Sequence, residues 1–124
     1  MKITLFDDQI YVIKALAKSL IQSDQSLQIS SFDESIELLS HLRQESSDII
    51  ILDLLTNDLL GLDIINQVKK LCPKAYLVVY SVVSSNFIRQ CVQEIGVHMF
   101  ISKMNTPYTA ASILLKAYNA EIRS

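Results

Sequence analysis

The chain has 124 residues, a length that fits one domain over residues 1–124, and half of them are apolar against 19% charged, which excludes a disordered segment. The net charge is −2 and no cluster of Lys and Arg is interleaved with aromatics, so the chain by itself is not expected to bind nucleic acid. The opening "MKITLFDDQ" is too briefly apolar for a signal peptide, and no window approaches the roughly 18 apolar residues of a membrane span, so the expected location is the cytoplasm.

Along the chain, short β-like runs alternate with longer helical ones, the pattern of βα units on a parallel sheet. The first strand is "KITLF", and the helix after it repeats Ile13, Leu16, Ala17, Leu20 and Ile21 at spacings of three and four. "LQIS" is the second strand. Ser31 and Glu34 stand in capping-box spacing, which predicts that the second helix opens there with Ile36, Leu39 and Leu42 on its inner side. "IIIL" is a third strand, buried on both faces because its apolar run is unbroken. The third helix carries Ile64, Ile65, Val68, Leu71 and Cys72 inward and stops before Pro73. "AYLVVY" is the fourth strand, followed by a helix that starts at Ser84 or Ser85, turns Ile88, Cys91, Val92 and Ile95 inward and ends on Gly96 as a left-handed cap. "VHMFI" is the fifth strand, and Thr106 with Pro107 opens the last helix.

Cys72 and Cys91 show neither C-x-x-C nor metal-ligand spacing and read as reduced core thiols. His41 and His98 have no Cys, His or acid at ligand spacing and read as surface or boundary residues. With only two glycines the chain has no phosphate-cradling loop of the nucleotide-binding kind.

Ligands of open parallel sheets gather at the carboxyl ends of the strands. Here those ends carry Asp7 and Asp8 after the first strand, Asp53 after the third, Ser81 after the fourth and Lys103 after the fifth. If the strand order is 2-1-3-4-5, three carboxylates converge at the point where the order reverses, and their repulsion calls for a divalent cation. Ligation by oxygen alone suits Mg²⁺, which is commonly shared with phosphate. A hydroxyl and an ammonium opposite the carboxylates suit the remaining oxygens of a phosphoryl group, and Asp53 is the best placed nucleophile.

These residues resemble the receiver domain of two-component response regulators over essentially the whole chain. The acid pair Asp7 and Asp8, the acceptor Asp53 with Gly61 eight positions on, Ser81 and Lys103 all match, as do the gaps of 28 and 22 that separate Asp53, Ser81 and Lys103. Phe100 stands at the family's switch aromatic, and "QEIGVHMFISK" is similar to receivers that precede a helix-turn-helix DNA-binding domain. The resemblance implies a flavodoxin-like fold, a five-stranded parallel sheet in the order 2-1-3-4-5 doubly wound with five helices. It implies a Mg²⁺ held by Asp8, Asp53, Asp7 directly or through water, and the carbonyl of Leu55. It further implies that Asp53 takes a phosphoryl group from a sensor histidine kinase, and that Ser81 and Phe100 relay the change to an output domain or partner. Such a protein is a self-phosphorylating and self-dephosphorylating switch rather than an enzyme in the ordinary sense.

The sequence departs from the common receiver pattern at Asn57, Leu60, Val82 and Met104. A branched Val82 beside the pocket is expected to narrow it, and Leu55 and Val83 offer no hydrogen bond to an attacking water, so slow loss of the phosphoryl group is expected. Two other readings are a degenerate receiver that only binds protein and an aspartyl-nucleophile phosphohydrolase. The second is disfavoured because such enzymes of the haloacid dehalogenase type use a D-x-D pair on the first strand, whereas Asp7 and Asp8 are adjacent. Finally, Ala110, Ala111, Leu114, Leu115 and Tyr118 offer more apolar surface on the last helix than one sheet face needs, which predicts a homodimer.

Overall fold

The computed structural model describes residues 1–54, 59–82 and 85–123. Strand β1 (Lys2–Phe6) leads to helix α1 (Ile10–Ser23), β2 (Gln28–Phe32) to α2 (Ser35–Gln44) and β3 (Ile49–Leu52) to α3 (Leu59–Leu71). Then β4 (Tyr76–Ser81) leads to α4 (Asn86–Ile95) and β5 (Met99–Ser102) to α5 (Pro107–Arg123). The five strands form one parallel sheet in the order β2-β1-β3-β4-β5, the expected flavodoxin-like arrangement.

Both faces of this sheet are covered, which explains the unbroken apolar runs. Successive side chains of a strand point to opposite faces. Ile50 and Leu52 of β3 therefore enter the core beneath α2, α3 and α4, while Ile49 and Ile51 enter the core beneath α1 and α5. Ile49, Ile50, Leu77 and Leu114 are among the fully buried side chains, and burying one of this size contributes about 1.5–3 kcal/mol. The register fixes the site: Phe6 pairs with Leu52, and Ser81 pairs with Ser102. Asp7 and Asp53 thus leave adjacent strands side by side, and Lys103 leaves next to Ser81.

Several caps form as expected. The Ser85 hydroxyl accepts from Ile88 N at 3.4 Å at the start of α4, and Gly96 ends that helix at φ 109°. The Thr106 hydroxyl accepts from Thr109 N at 3.2 Å at the start of α5. Ser84 lies outside the described residues.

Three expectations need correction. Strand β2 runs on to Phe32 because Ser31 pairs with Leu5, so Ser31 is in the sheet and α2 opens after Glu34 without a side-chain cap. Within α2, Ile36 is 79% exposed and the inner stripe is Leu38, Leu39 and Leu42. Two residues turn a helix through about 200°, so Ile36 and Leu38 cannot share a face. In α1, Ile21 is exposed while Ser19 is buried, its hydroxyl donating to the Ala15 carbonyl at 2.9 Å.

The surplus apolar surface of α5 is also spent within the chain. Ala110, Ala111 and Leu114 are buried, and Leu115 and Tyr118 pack partly against the core formed with α1. The small alanines let α5 approach α1 closely, and Tyr108, Ile113 and Ile122 are large apolar residues of α5 that stay exposed. The residues expected to carry a homodimer therefore have neighbours already.

Cys72 is buried and Cys91 half-buried, both as free thiols. His98 stacks on Tyr76 with ring centroids 4.7 Å apart, and its Nδ1 accepts from Leu77 N at 3.0 Å. His41 lies against the Phe32 ring at 4.9 Å. No helix among the described residues is long and apolar enough to cross a membrane.

Candidate functional site

The ends of β1, β3, β4 and β5 bring Asp7, Asp53, Ser81 and Lys103 together. Backbone hydrogen bonds continue one residue beyond the ends of β3 and β5: Asp53 N donates to Phe6 O at 2.9 Å and Lys103 N to Ser81 O at 2.9 Å. The functional side chains therefore start from rigid positions.

Lys103 is the electrostatic centre. Its ammonium lies 2.7 Å from Asp7 Oδ2 and 3.2 Å from Asp53 Oδ2, and its side chain is only 8% exposed. Asp7 is further fixed by Gln9 N, which donates to its Oδ1 at 2.8 Å. Burial, and then the neighbouring Asp7 charge, push the Asp53 carboxyl up to about 6, against the opposing pull of Lys103 and the Ser81 hydroxyl. For Lys103, burial lowers the pKa, but the hydrogen bond to Asp7 and the charges of Asp53 and Asp7 outweigh it and raise the value above the ordinary one. One ammonium thus partly neutralises two buried carboxylates.

Asp8 is exposed at the rim, and one carboxylate oxygen from each of Asp7, Asp8 and Asp53 lies within 4.8 Å of the others. Asp53 Oδ1 is buried with no hydrogen bond among the described residues. A buried carboxylate oxygen without a donor, beside two more carboxylates, fits a hard divalent cation. Leu55, expected to add its carbonyl, lies outside the described residues, as do Asn57 and Val83.

Ser81 is fully buried, and its hydroxyl donates to the Leu54 carbonyl at 3.4 Å. Val82 follows Ser81 at the rim, 74% exposed. Phe100 pairs with Val79 in the ladder and packs on the α3 and α4 side of the sheet, with the Arg89 guanidinium 4.3 Å above its ring.

Sequence reasoning missed Tyr80, which reads as one more apolar residue of β4. Its hydroxyl donates to the Asn105 carbonyl at 2.7 Å, and its ring centroid is 5.9 Å from the Lys103 ammonium. No local sequence signal marks a hydrogen bond to a carbonyl 25 residues away.

Comparison with known proteins agrees with this geometry. A CheY-like response regulator receiver domain protein from Methanospirillum hungatei superposes with a TM-score of 0.84 at 15% identity, covering 98% of this chain and 96% of its own. DrrB, an OmpR/PhoB homolog from Thermotoga maritima, superposes with a TM-score of 0.80 at 19% identity over 97% of this chain but 53% of DrrB, so the chain spans about half of DrrB's length. A response regulator from Burkholderia pseudomallei, solved with a phosphorylated aspartic acid, a calcium ion and citrate, gives 0.73 at 22% identity, covering 97% and 74%. At these identities the likeness is one of fold. A search of curated protein sequences gives no match. Residues 3–114, however, match the family described as the response regulator receiver domain. The chain therefore belongs to the receiver domain family of two-component response regulators, which are phosphorylation-controlled signalling switches.

Proposed function

We propose that Asp53 is the phosphoryl acceptor of a cytoplasmic switch formed by residues 1–124, and that its donor is a sensor histidine kinase. The observation that supports this reading is the Asp53 carboxylate itself, buried beside Asp7, held through Oδ2 by Lys103 and left with Oδ1 unpaired among the described residues. In the reaction an Asp53 oxygen forms a bond to phosphorus as the bond from phosphorus to the donor nitrogen breaks, and the electron pair leaves with that nitrogen. Lys103 and Ser81 stand where an ammonium and a hydroxyl can hold the phosphoryl oxygens. Asp7, Asp8 and Asp53, with the Leu55 carbonyl, would hold Mg²⁺. When bound, the ion supplies charge neutralisation between the acceptor and the incoming group.

Incubation with a small phosphodonor tests this reading. One alkali-labile phosphoryl group per chain, formed only with divalent metal, is the expected result; no incorporation would leave a protein-binding module as the better reading. Mg²⁺ titration followed by amide shifts around Asp8 and Asp53 should show one site of modest affinity. Unchanged binding by the Asp8→Ala, Asp53→Asn double variant would contradict the ligand set.

The lifetime of the phosphorylated form is expected to be long for the class, because Leu55 offers the hydrolytic water no hydrogen bond. Leu55→Asn should release phosphate about tenfold faster, the scale of one positioning interaction. Release as fast from wild type would remove Leu55 from the account.

A further inference from the structure

The turn that carries Lys103 is tied down by a set of hydrogen bonds that the proposed phosphoryl chemistry does not itself use. It spans only Lys103, Met104, Asn105 and Thr106, between the end of β5 and the start of α5. Met104 is 95% exposed and lends it no packing, and no proline stiffens it before Pro107. Its shape depends on polar contacts. Asn105 N donates to Ser102 O at 3.0 Å, Asn105 Nδ2 to the same carbonyl at 3.1 Å, and Met104 N to Ser102 Oγ at 3.1 Å.

All of those contacts run to Ser102, the last residue of β5, and two more anchor the turn to β4. The last two residues of β4 make them, one on each side of Lys103. Ser81 O accepts Lys103 N at 2.9 Å before the side chain, and the Tyr80 hydroxyl donates to Asn105 O at 2.7 Å after it. Tyr80 is buried, so its hydroxyl has few other positions to occupy. Burial also pushes the phenol above its ordinary value, which keeps it a neutral donor.

We propose that Tyr80 is a positioning residue: through the Asn105 carbonyl it fixes the turn that aims Lys103 at Asp7 and Asp53, and so sets where an incoming phosphoryl group meets the ammonium. The physical need is specific. Lysine is a flexible four-carbon stem ending in a point charge, and it is aimed only as well as its backbone is held. A small misplacement of a group that stabilises a developing charge costs rate without changing what the site contains. This inference rests on the phosphoryl-acceptor reading of the site.

The test is Tyr80→Phe, which keeps the ring and removes one hydroxyl. Asn105 is only half-buried, so water can satisfy its carbonyl and the variant is expected to fold with an unchanged amide spectrum outside the turn. Two readouts decide the matter. In the unphosphorylated protein, ¹⁵N relaxation of the Lys103 ammonium should show increased motion. With saturating Mg²⁺ and a small phosphodonor, the maximal phosphorylation rate should fall about fivefold, the factor expected for one neutral hydrogen bond. In a Lys103→Met background the same Tyr80→Phe change should leave the residual rate unaltered, because a residue that acts through Lys103 has nothing left to act on. An equal loss in both backgrounds, or a Lys103 ammonium as ordered as in wild type, would overturn the proposal. Should wild type accept no phosphoryl group, the acceptor reading fails by itself, and the ammonium measurement still decides the role of Tyr80.

Discussion

Asp53→Asn is expected to raise stability at pH 7 by about 2–3 kcal/mol and to abolish phosphoryl acceptance. The folded environment raises the carboxyl from 3.8 to about 6, so the native state binds this proton more tightly than the unfolded chain does. Its favourable contribution is complete below about pH 4 and is lost as pH rises through about 6, leaving the ionised group a net cost at neutral pH. Asparagine is a permanent stand-in for the protonated acid, so the gain should appear in urea unfolding at pH 7 and vanish at pH 4. Mg²⁺ should stabilise wild type by mass action and the variant much less. Equal stabilities at pH 7 would mean that Asp53 is not held in the strained electrostatic state described above.

Lys103→Met should have the opposite sign. Removing the ammonium leaves Asp7 and Asp53 buried side by side with no positive partner among the described residues, and stranding buried charge in this way costs about 3–5 kcal/mol. Methionine keeps most of the stem's packing, so the loss should be electrostatic. It should therefore shrink as pH falls towards about 6, because without the ammonium Asp53 takes up its proton at a higher pH than in wild type, and Mg²⁺ should restore much of it. Chemical denaturation across pH with and without the ion measures all three effects. A loss below about 1 kcal/mol, the range of exposed pairs, would show that the pair is well solvated.

These two effects also explain why the candidate site was legible in the sequence. Asp7, Asp53 and Ser81 each follow directly on an apolar run and Lys103 follows one after a single serine, and in a sheet buried on both faces such a residue has to sit where the strand emerges. The strand order then brings the four together. What escaped depends on contacts distant in sequence. Ser31 and Glu34 satisfy a local capping rule, but pairing of Ser31 with Leu5 of β1 wins. Ile36 and Leu38 are both apolar, and only the position of the sheet beneath α2 selects Leu38. The alanines of α5 look like surplus surface until α1 is placed against them. Tyr80 carries no mark of its polar task, because its partner is a backbone carbonyl in a turn on the far side of α4 and β5.

The central claim is that the buried carboxylate of Asp53 takes the phosphoryl group. Phosphorylation of wild type in Mg²⁺, borohydride reduction of the acyl phosphate and peptide mass spectrometry test it most directly. Reduction is predicted at Asp53 alone, absent without metal and absent in Asp53→Asn. Modification at Asp7 or Asp8, or undiminished labelling of Asp53→Asn, would contradict the account.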